Sequence, residues 1–272
     1  MDKAADKKYF RFFGNTKQQF YPLGLGTIWF GRPWPMDNKN YYFPEDKEIL
    51  DFLHKAFSNM GNAQGTVMID TAAAYGHSEE KLGVLLKANP AFYNKAFVAT
   101  KWGEEFDLTT GTSVIDHSLA RLKASTARSR SRLGKIDLLY IHGTTRAVLS
   151  DEAVMAVMRT MKQERYAGIK YIGASISQEE VLEYAAETLS LGLDVIQMPA
   201  WLLQKRADLI DILSERGVAI VLNSVVRDNR SAGPRDRYRD FLNNDKVAMI
   251  LTGTRNHLIE TIGYVEESFL TA

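Results

Sequence analysis

The chain has 272 residues, of which 45% are hydrophobic and 25% are charged, as is ordinary for a globular protein with a large core. Its 34 basic and 33 acidic residues nearly cancel, which argues against a general polyanion binder such as a nucleic-acid-coating protein. The absence of cysteine excludes disulfides, thiolate metal sites and cysteine nucleophiles.

The N-terminal region combines a polar start with an aromatic hairpin. Residues 1–8 are polar and charged, unlike a signal peptide, and no apolar run reaches the roughly 18 residues that span a bilayer. We therefore expect a cytoplasmic protein without a membrane partner. Two aromatic-rich strands follow, Lys8–Phe13 and Lys17–Tyr21, around a Gly-Asn-Thr turn. They predict a β-hairpin within a segment covering residues 1–22.

From residue 22 onward, apolar runs alternate with amphipathic patterns. The predicted strands are Pro22–Trp29, Val67–Ile69, Ala96–Thr100, Ile136–Ile141, Ile169–Gly173, Leu193–Met198, Val218–Leu222 and Val247–Leu251. The predicted helices are Asp46–Met60, Ser78–Lys87, Ser113–Arg132, Asp151–Glu164, Ser177–Leu189, Ala207–Arg216, a short one near Tyr238–Leu242, and one from about His257 to Phe269.

The continuous apolar strands indicate burial on both faces and parallel pairing. Eight such units predict an α/β fold, a single (β/α)8 TIM barrel in which residues 1–272 form one domain and the N-terminal β-hairpin covers the bottom. An open, doubly wound sheet is the structural rival. It would be expected to carry a Gly-x-Gly-x-x-Gly turn after an early strand, and the sequence has none.

Four ionisable residues follow the C-terminal ends of three consecutive strands, where the chemistry of this fold takes place. They are Asp70, Tyr75, Lys101 and His142. Each alone has a structural explanation, as a helix cap, a packed aromatic, a solvated lysine or a satisfied histidine, but their convergence favours catalysis. Lys101 would pair with Asp70 and lower the pKa of Tyr75, making it a general acid or base. The set suits protonation of a carbonyl oxygen while a hydride is delivered.

A candidate anion site follows the last strand. Gly253, Thr254, Arg255 and Asn256 lie between that strand and the final helix, where backbone N–H groups and the helix dipole favour phosphate. Arg227 and Arg255 are the candidate phosphate-binding cations, because a guanidinium suits bidentate contact. The alternative is a surface turn with a solvated arginine.

Aromatic residues concentrate near the same end of the predicted barrel. Trp29, Trp34 and Trp102 are expected to line the mouth of a substrate pocket, although aromatic loops can also form dimer contacts or pack together. The basic cluster within Arg121–Arg132 is interpreted as the solvated face of a helix, so a nucleic-acid partner is not expected. No metal site and no oligomeric state are indicated.

The chain resembles the aldo-keto reductase superfamily in five motifs. They are Asp70-Thr-Ala-Ala-Ala-Tyr75-Gly-His-Ser78-Glu79-x-x-Leu82-Gly83, Ala99-Thr-Lys101, Asp137-Leu-Leu-Tyr-Ile-His142-Gly143, Leu23-Gly-Leu-Gly-Thr27 and Leu251-Thr-Gly-Thr-Arg-Asn256. The resemblance implies an oxidoreductase that interconverts an aldehyde, ketone or sugar and its alcohol. Tyr75 would donate the proton, and His142 would position the carbonyl. Lys101 and Asp70 would adjust the pKa of the Tyr75 hydroxyl.

The resemblance also implies a nicotinamide cofactor, NADP(H) with NAD(H) possible, bound without a Rossmann fold. Gln197 matches the glutamine that holds the carboxamide and Ser175 the serine of a Gly-x-Ser-Asn motif, with Ser224 beside the nicotinamide. Three positions depart from the family pattern, namely Ile176 in place of the motif asparagine, Asn223 before Ser224, and Thr261 after Glu260.

These departures leave two alternatives open. The first is a lyase, dehydratase or isomerase that keeps Tyr75 and His142 as acid and base but uses no hydride. The second is a non-catalytic, nucleotide-sensing subunit. In every case the expected ligand is a small carbonyl or alcohol compound or a nucleotide.

Overall fold

The computed structural model describes residues 9–61, 65–228 and 233–270. A short antiparallel hairpin lies at the start of this part of the chain. Its strands are β1 (Arg11–Phe12) and β2 (Gln19–Phe20). Phe13 and Phe20 pack edge-on against Phe97, with ring centroids 6.4 and 5.0 Å away, at the N-terminal end of the barrel. The predicted hairpin below the barrel is confirmed, whereas its predicted start at Lys8 lies outside the described residues.

The elements after the hairpin alternate regularly. In chain order they are β3 (Leu23–Gly26), α1 (Ile28–Gly31), α2 (Asp46–Asn59), β4 (Val67–Asp70), α3 (Ser78–Ala88), α4 (Pro90–Lys95), β5 (Ala96–Trp102), β6 (Glu104–Asp107), β7 (Thr112–Ile115), α5 (Leu119–Leu133), β8 (Leu138–Ile141), α6 (Arg146–Ser150), α7 (Glu152–Gln163), β9 (Tyr171–Ser175), α8 (Glu179–Glu187), β10 (Val195–Pro199), α9 (Ala200–Lys205), α10 (Ala207–Glu215), β11 (Ala219–Asn223), α11 (Val225–Asp228), α12 (Pro234–Leu242), β12 (Val247–Thr252) and α13 (Leu258–Leu270).

Eight of these strands close into a parallel barrel in the order β3-β4-β5-β8-β9-β10-β11-β12. Every residue of β4, β5, β8 and β10 is buried, as expected for strands covered by helices on one side and packed in the barrel interior on the other. The predicted (β/α)8 barrel is confirmed. Its geometry brings the C-terminal ends of all eight strands to one face.

The first barrel strand is shorter than predicted. It ends at Gly26, and residues Ile28–Gly31 form the helical turn α1 rather than its continuation. Trp29 is therefore on a helix and not at a strand end. The apolar run could not reveal this change, because Trp29 and Phe30 are buried in α1 just as they would be in a strand.

The start of the predicted helix Ser113–Arg132 is also wrong. Thr112–Ile115 instead pairs with Glu104–Asp107 as the antiparallel hairpin β6-β7, outside the barrel. Helix α5 begins only after Ser118, whose hydroxyl accepts from the N–H of Arg121, and it ends at Gly134 with φ of 85°.

Several short helices were not anticipated either, namely α4, α6, α9 and α11. Each has six residues or fewer, too short to generate a readable helical period. Among the described residues, no helix has both the length and the apolar character needed to cross a bilayer.

Candidate active site

Asp70, Tyr75 and Lys101 meet at the C-terminal face of the barrel. The ammonium of Lys101 donates to Asp70 Oδ1, to the carbonyl oxygen of Thr71 at 3.1 Å and to the Tyr75 hydroxyl at 3.2 Å. An ammonium has three N–H donors, so these three acceptors satisfy it. Asp70 and Lys101 are 3% and 0% exposed, which makes this a buried, directed network.

Hydroxyl groups fix the strand ends that hold these side chains. Thr27 donates its backbone N–H and its hydroxyl to the Asp70 carbonyl, both at 3.0 Å. The buried Ser78 hydroxyl, at the start of α3, contacts Thr27 Oγ1 at 2.8 Å and Thr71 Oγ1 at 3.1 Å. The ends of β3 and β4 and the start of α3 are thus tied together around the acid.

Two glycines allow the loop that carries Tyr75 to cross α1 closely. A Cβ on Gly31 would lie 2.1 Å from the Tyr75 carbonyl oxygen, and one on Gly76 would lie 2.4 Å from the Gly31 carbonyl oxygen. Gly76 also has φ of 60°, a region that favours glycine. The backbone of Tyr75 is therefore positioned by direct contact with Gly31.

Burial, rather than the neighbouring cation, controls the pKa of Tyr75. Desolvation raises the pKa of Tyr75 above its usual value, and the ammonium of Lys101 opposes this only in part because Asp70 acts in the other direction. The prediction that the pKa of Tyr75 lies below its usual value is therefore wrong for the protein alone. Burial would lower the pKa of Lys101, but the charges of Asp70 and Tyr75 outweigh it, so that pKa is raised.

His142 follows β8, its ring centroid 6.0 Å from that of Tyr75 in an edge-on arrangement. Burial, followed by the charges of Lys101 and Arg32, holds the pKa of His142 well below its usual value, so the ring is neutral at pH 7. Its Nδ1 lies 3.2 Å from Glu104 Oε2, although the alignment falls short of a hydrogen bond. Sequence reasoning missed Glu104 because it belongs to the unanticipated strand β6.

Arg132 and two further arginines of α5 are not merely solvated. Arg121 and Arg128 pair with Glu105, the residue after Glu104, and attach the β6-β7 hairpin to α5. Arg132 lies 3.4 Å from Glu79, a fully buried acid that also accepts a hydrogen bond of 2.6 Å from Thr100. The interpretation of this helix face as solvated holds for the exposed Lys123 and Arg130, whereas these three arginines are paired and only partly exposed.

Ser175 and Gln197 join the buried cluster around Asp70. The Gln197 amide nitrogen donates to Asp70 Oδ2 at 3.0 Å, and its oxygen accepts from the Ser175 hydroxyl at 3.3 Å. Ile176 is 1% exposed, and its side chain belongs to the hydrophobic core. The position next to Ser175 therefore contributes packing and offers no polar group to a ligand.

A pocket of about 520 Å³ lies on the opposite rim, beyond β11 and β12. Four of the predicted cofactor residues line it: Ser224, Arg227, Gly253 and Thr254. A guanidinium nitrogen of Arg227 donates to the Ser224 hydroxyl at 2.9 Å. The acid Glu260 also lines this pocket, where it accepts from Tyr264 and lies 2.9 Å from His257 Nδ1.

Arg255 and Asn256 line a neighbouring pocket of about 610 Å³. Two guanidinium nitrogens of Arg255 donate to the two carboxylate oxygens of Glu48, at 2.5 and 2.8 Å, and its third contact is the Tyr42 carbonyl at 3.1 Å. The guanidinium also lies 3.6 Å from the centroid of the Tyr42 ring. Arg255 therefore already has an anionic partner, supplied by α2, which the sequence did not reveal.

The three tryptophans differ in exposure. Trp29 and Trp102 are 7% and 1% exposed, and their indole N–H groups have no partner among the described residues, whereas Trp34 is 48% exposed and lines the 520 Å³ pocket. Buried polar atoms are normally satisfied, so orphaned donors near strand ends are compatible with a polar ligand.

Comparisons with known proteins agree on one family. The model of the Aldo/keto reductase family matches residues 22–256. Aldo-keto reductase str7 from Strobilurus tenacellus is 25% identical over 228 residues, which cover 82% of this chain and 63% of that protein. The chain thus spans less than two thirds of the length of that relative.

Solved structures are similar over nearly the whole chain. An aldo-keto reductase from Pseudomonas aeruginosa is 27% identical with a TM-score of 0.78, covering 95% of this chain and 94% of that one. The holo form of AKR11C1 from Bacillus halodurans is 19% identical with a TM-score of 0.71, covering 96% and 95%. Glycerol dehydrogenase AKR11B4 from Gluconobacter oxydans is 20% identical with a TM-score of 0.72, covering 97% and 91%. The last two likenesses show the fold alone.

Proposed function

Because the chain belongs to the aldo/keto reductase family, we propose that it interconverts an aldehyde, ketone or sugar carbonyl and the corresponding alcohol with NADP(H), with NAD(H) as the alternative cofactor. The observation that carries this proposal is the buried network in which one ammonium, Lys101, contacts Asp70, Thr71 and the Tyr75 hydroxyl. Such a network positions one phenolic proton at the strand ends, beside a buried ammonium.

Tyr75 is the proposed proton donor during reduction. Its raised pKa keeps the phenol protonated at neutral pH, as an acid requires. The O–H bond breaks as the carbonyl oxygen takes the proton, and Lys101 stabilises the phenolate that remains. His142, neutral and adjacent, orients the substrate oxygen, and the Glu104 carboxylate lies beside its ring, 3.2 Å from Nδ1.

The described residues fit a nicotinamide cofactor in two places. When bound, that cofactor supplies the hydride that reduces the carbonyl carbon. The 520 Å³ pocket, with Arg227 and the backbone turn at Gly253, is of the size of known ligand pockets. Gln197 and Ser175 offer amide and hydroxyl groups beside Asp70, where the carboxamide would bind. A 2′-phosphate would require Arg255 to exchange Glu48 for the phosphate.

The test combines cofactor binding with turnover. Titration with NADPH and with NADH, followed by quenching of the four tryptophans, should show saturable binding. A carbonyl panel should then produce loss of absorbance at 340 nm, and Tyr75→Phe should reduce kcat by about a thousandfold, within the range of a lost general acid. Absence of binding by both nucleotides in a folded sample contradicts the proposal.

Hydride-free chemistry is the second candidate, and one observation favours it. Ile176 is buried in the core and gives a carboxamide no polar contact. A lyase, dehydratase or isomerase would use Tyr75 and His142 as acid and base. Turnover without added or co-purified nicotinamide would support this second function, and turnover that always tracks the nicotinamide would eliminate it. We also propose a cytoplasmic location, which fractionation of the source cells would check.

A further inference from the structure

Arg32, the residue after α1, is a buried cation without a carboxylate partner. It is 5% exposed, and no acidic oxygen of the described residues lies within 4.0 Å of its guanidinium. Its Nε has no hydrogen-bond partner among those residues, and Nη1 has only a weak contact with the Met36 sulfur at 3.5 Å. Burying an unpaired charge is costly, so such an arginine is normally balanced by an anion.

Aromatic rings surround Arg32 and leave the N–H groups at the edge of its guanidinium available for polar contacts. The guanidinium carbon lies 4.3 Å from the ring centroid of Phe106 and 5.3 Å from that of Trp34. Aromatic rings stabilise a cation through their faces but supply no strong acceptor in the plane of its N–H groups. Glu104 is an acid whose charge acts on Arg32, and its carboxylate lies 3.2 Å from His142 Nδ1.

Arg32 lies next to the proposed proton donor. Gly31, the preceding residue, is in backbone contact with Tyr75, since a Cβ there would be 2.1 Å from the Tyr75 carbonyl oxygen. The positive charge of Arg32 is among the influences that lower the pKa of Tyr75 and of His142. The unpaired cation and the acid–base pair therefore share one electrostatic environment at the strand ends.

We propose that Arg32 binds the carboxylate of the substrate. The substrates are then oxo acids, whose carbonyl oxygen reaches Tyr75 while their carboxylate contacts Arg32. This inference rests on the proposed function. A planar carboxylate matches the in-plane donors of a guanidinium, and the rings of Trp34 and Phe106 contact that guanidinium and leave its N–H groups to the carboxylate. Arg32 is thereby assigned as the residue that determines substrate specificity.

The experiment compares matched acids and amides. Wild type is assayed with NADPH against short, unbranched oxo acids of increasing length and against their primary amides, which have the same shape without the charge. We expect kcat/KM for the best acid to exceed that for its amide by tenfold or more. In Arg32→Met this ratio should fall at least tenfold, and Arg32→Lys should retain an intermediate preference. Equal losses on acid and amide in Arg32→Met, or no preference in wild type, overturn the inference.

Two controls separate the possible failures. Arg159→Met removes an arginine that pairs with Glu152 on the outer helix α7, and it should leave the acid-to-amide ratio unchanged. NADPH titration of each variant checks that folding and the cofactor site are intact. A preference for a phosphorylated hydroxyaldehyde over every acid overturns the carboxylate assignment but leaves the proposed function standing.

A binding measurement keeps the inference testable if turnover is absent. Saturated carboxylates of the same lengths should bind wild type and change tryptophan emission, because Trp34 lies beside Arg32, and Arg32→Met should weaken binding at least tenfold. Failure of NADPH and NADH to bind, together with intact carboxylate binding, would reject the proposed function while preserving the anion site. Absence of carboxylate binding by wild type, or binding that is unchanged in Arg32→Met, rejects the anion site itself.

Discussion

The two sides of the barrel mouth are built differently. Around Lys101, the ammonium, the Asp70 carboxylate and the Gln197 amide are buried and pair within one small cluster that includes the Tyr75 hydroxyl. Around Arg227 and Arg255, the charged groups are exposed or half-buried and held by residues that a ligand could displace, such as Glu48. The proposed proton-handling side is therefore preorganised, as catalysis would require, whereas on the proposed nucleotide side a bound ligand would have to replace existing partners.

The two sides should differ most in the free energy of unfolding that is lost when one cation is removed from each. Lys101→Met leaves the Asp70 carboxylate buried without its counter-ion and should lower the free energy of unfolding by about 3–5 kcal/mol. Arg227→Met, on the exposed rim, should change it by less than about 1 kcal/mol. Urea denaturation measures both. Similar losses for the two variants would show that the proton-handling side is not the more tightly coupled one.

The proton-handling side should also give stability a specific pH dependence. The pKa of His142 is lowered in the folded chain, so between the two pKa values the unfolded chain binds more protons. Stability from this group is complete above about pH 6.5 and falls as the pH decreases, by at most about 1.4 kcal/mol per unit. Thermal denaturation from pH 7.5 to 5 should show this slope, and His142→Gln should remove much of it. A wild-type slope that His142→Gln leaves intact contradicts the assignment to this ring.

A smaller effect is expected from the carboxylate beside that ring. Glu104→Gln keeps the size of the side chain but removes its charge, and kcat should fall about tenfold, because the His142 ring loses the carboxylate that lies 3.2 Å from its Nδ1. Its pH–rate profile should shift as well. Glu105→Gln is the matched control, since Glu105 pairs with Arg121 and Arg128 and not with His142. Equal kinetic losses in the two variants would place the effect in the hairpin rather than in the histidine.

The smallest effect tests exchange of partners on the nucleotide side. Glu48→Gln weakens the ion pair that holds Arg255. The ratio of NADPH to NADH affinity should then rise about threefold, which is a smaller free-energy change than a full ion pair would contribute. Glu45→Gln changes the charge of the same pocket without a contact to Arg255, so it separates pairing from net charge. A ratio that rises equally in both variants means that Arg255 does not select the 2′-phosphate.

The sequence predicted the barrel and the positions of Asp70 and Lys101 well, because continuous apolar runs and their polar ends follow directly from burial. It did not predict contacts made between distant segments. The pairing of Glu48 with Arg255 crosses 207 positions in the chain, and nothing local marks either residue. The predicted helix Ser113–Arg132 overlaps only the second strand of the hairpin, and no element was predicted over Glu104 and Phe106, because strands of four residues are too short to display a strand period. The environment of Tyr75 was also misjudged, since the cost of burial depends on packing that composition does not reveal.

The β6-β7 hairpin is not part of the barrel, yet it places Glu104 against His142 and Phe106 against Arg32. Under the proposed function, one segment outside the barrel therefore touches both the acid–base pair and the cation assigned to substrate selection. Substitutions of residues 105–115 that keep Glu104 would retune which compounds are accepted without changing the strand ends that carry Asp70 and Lys101. A library confined to this eleven-residue segment is a starting point for engineering new substrate ranges.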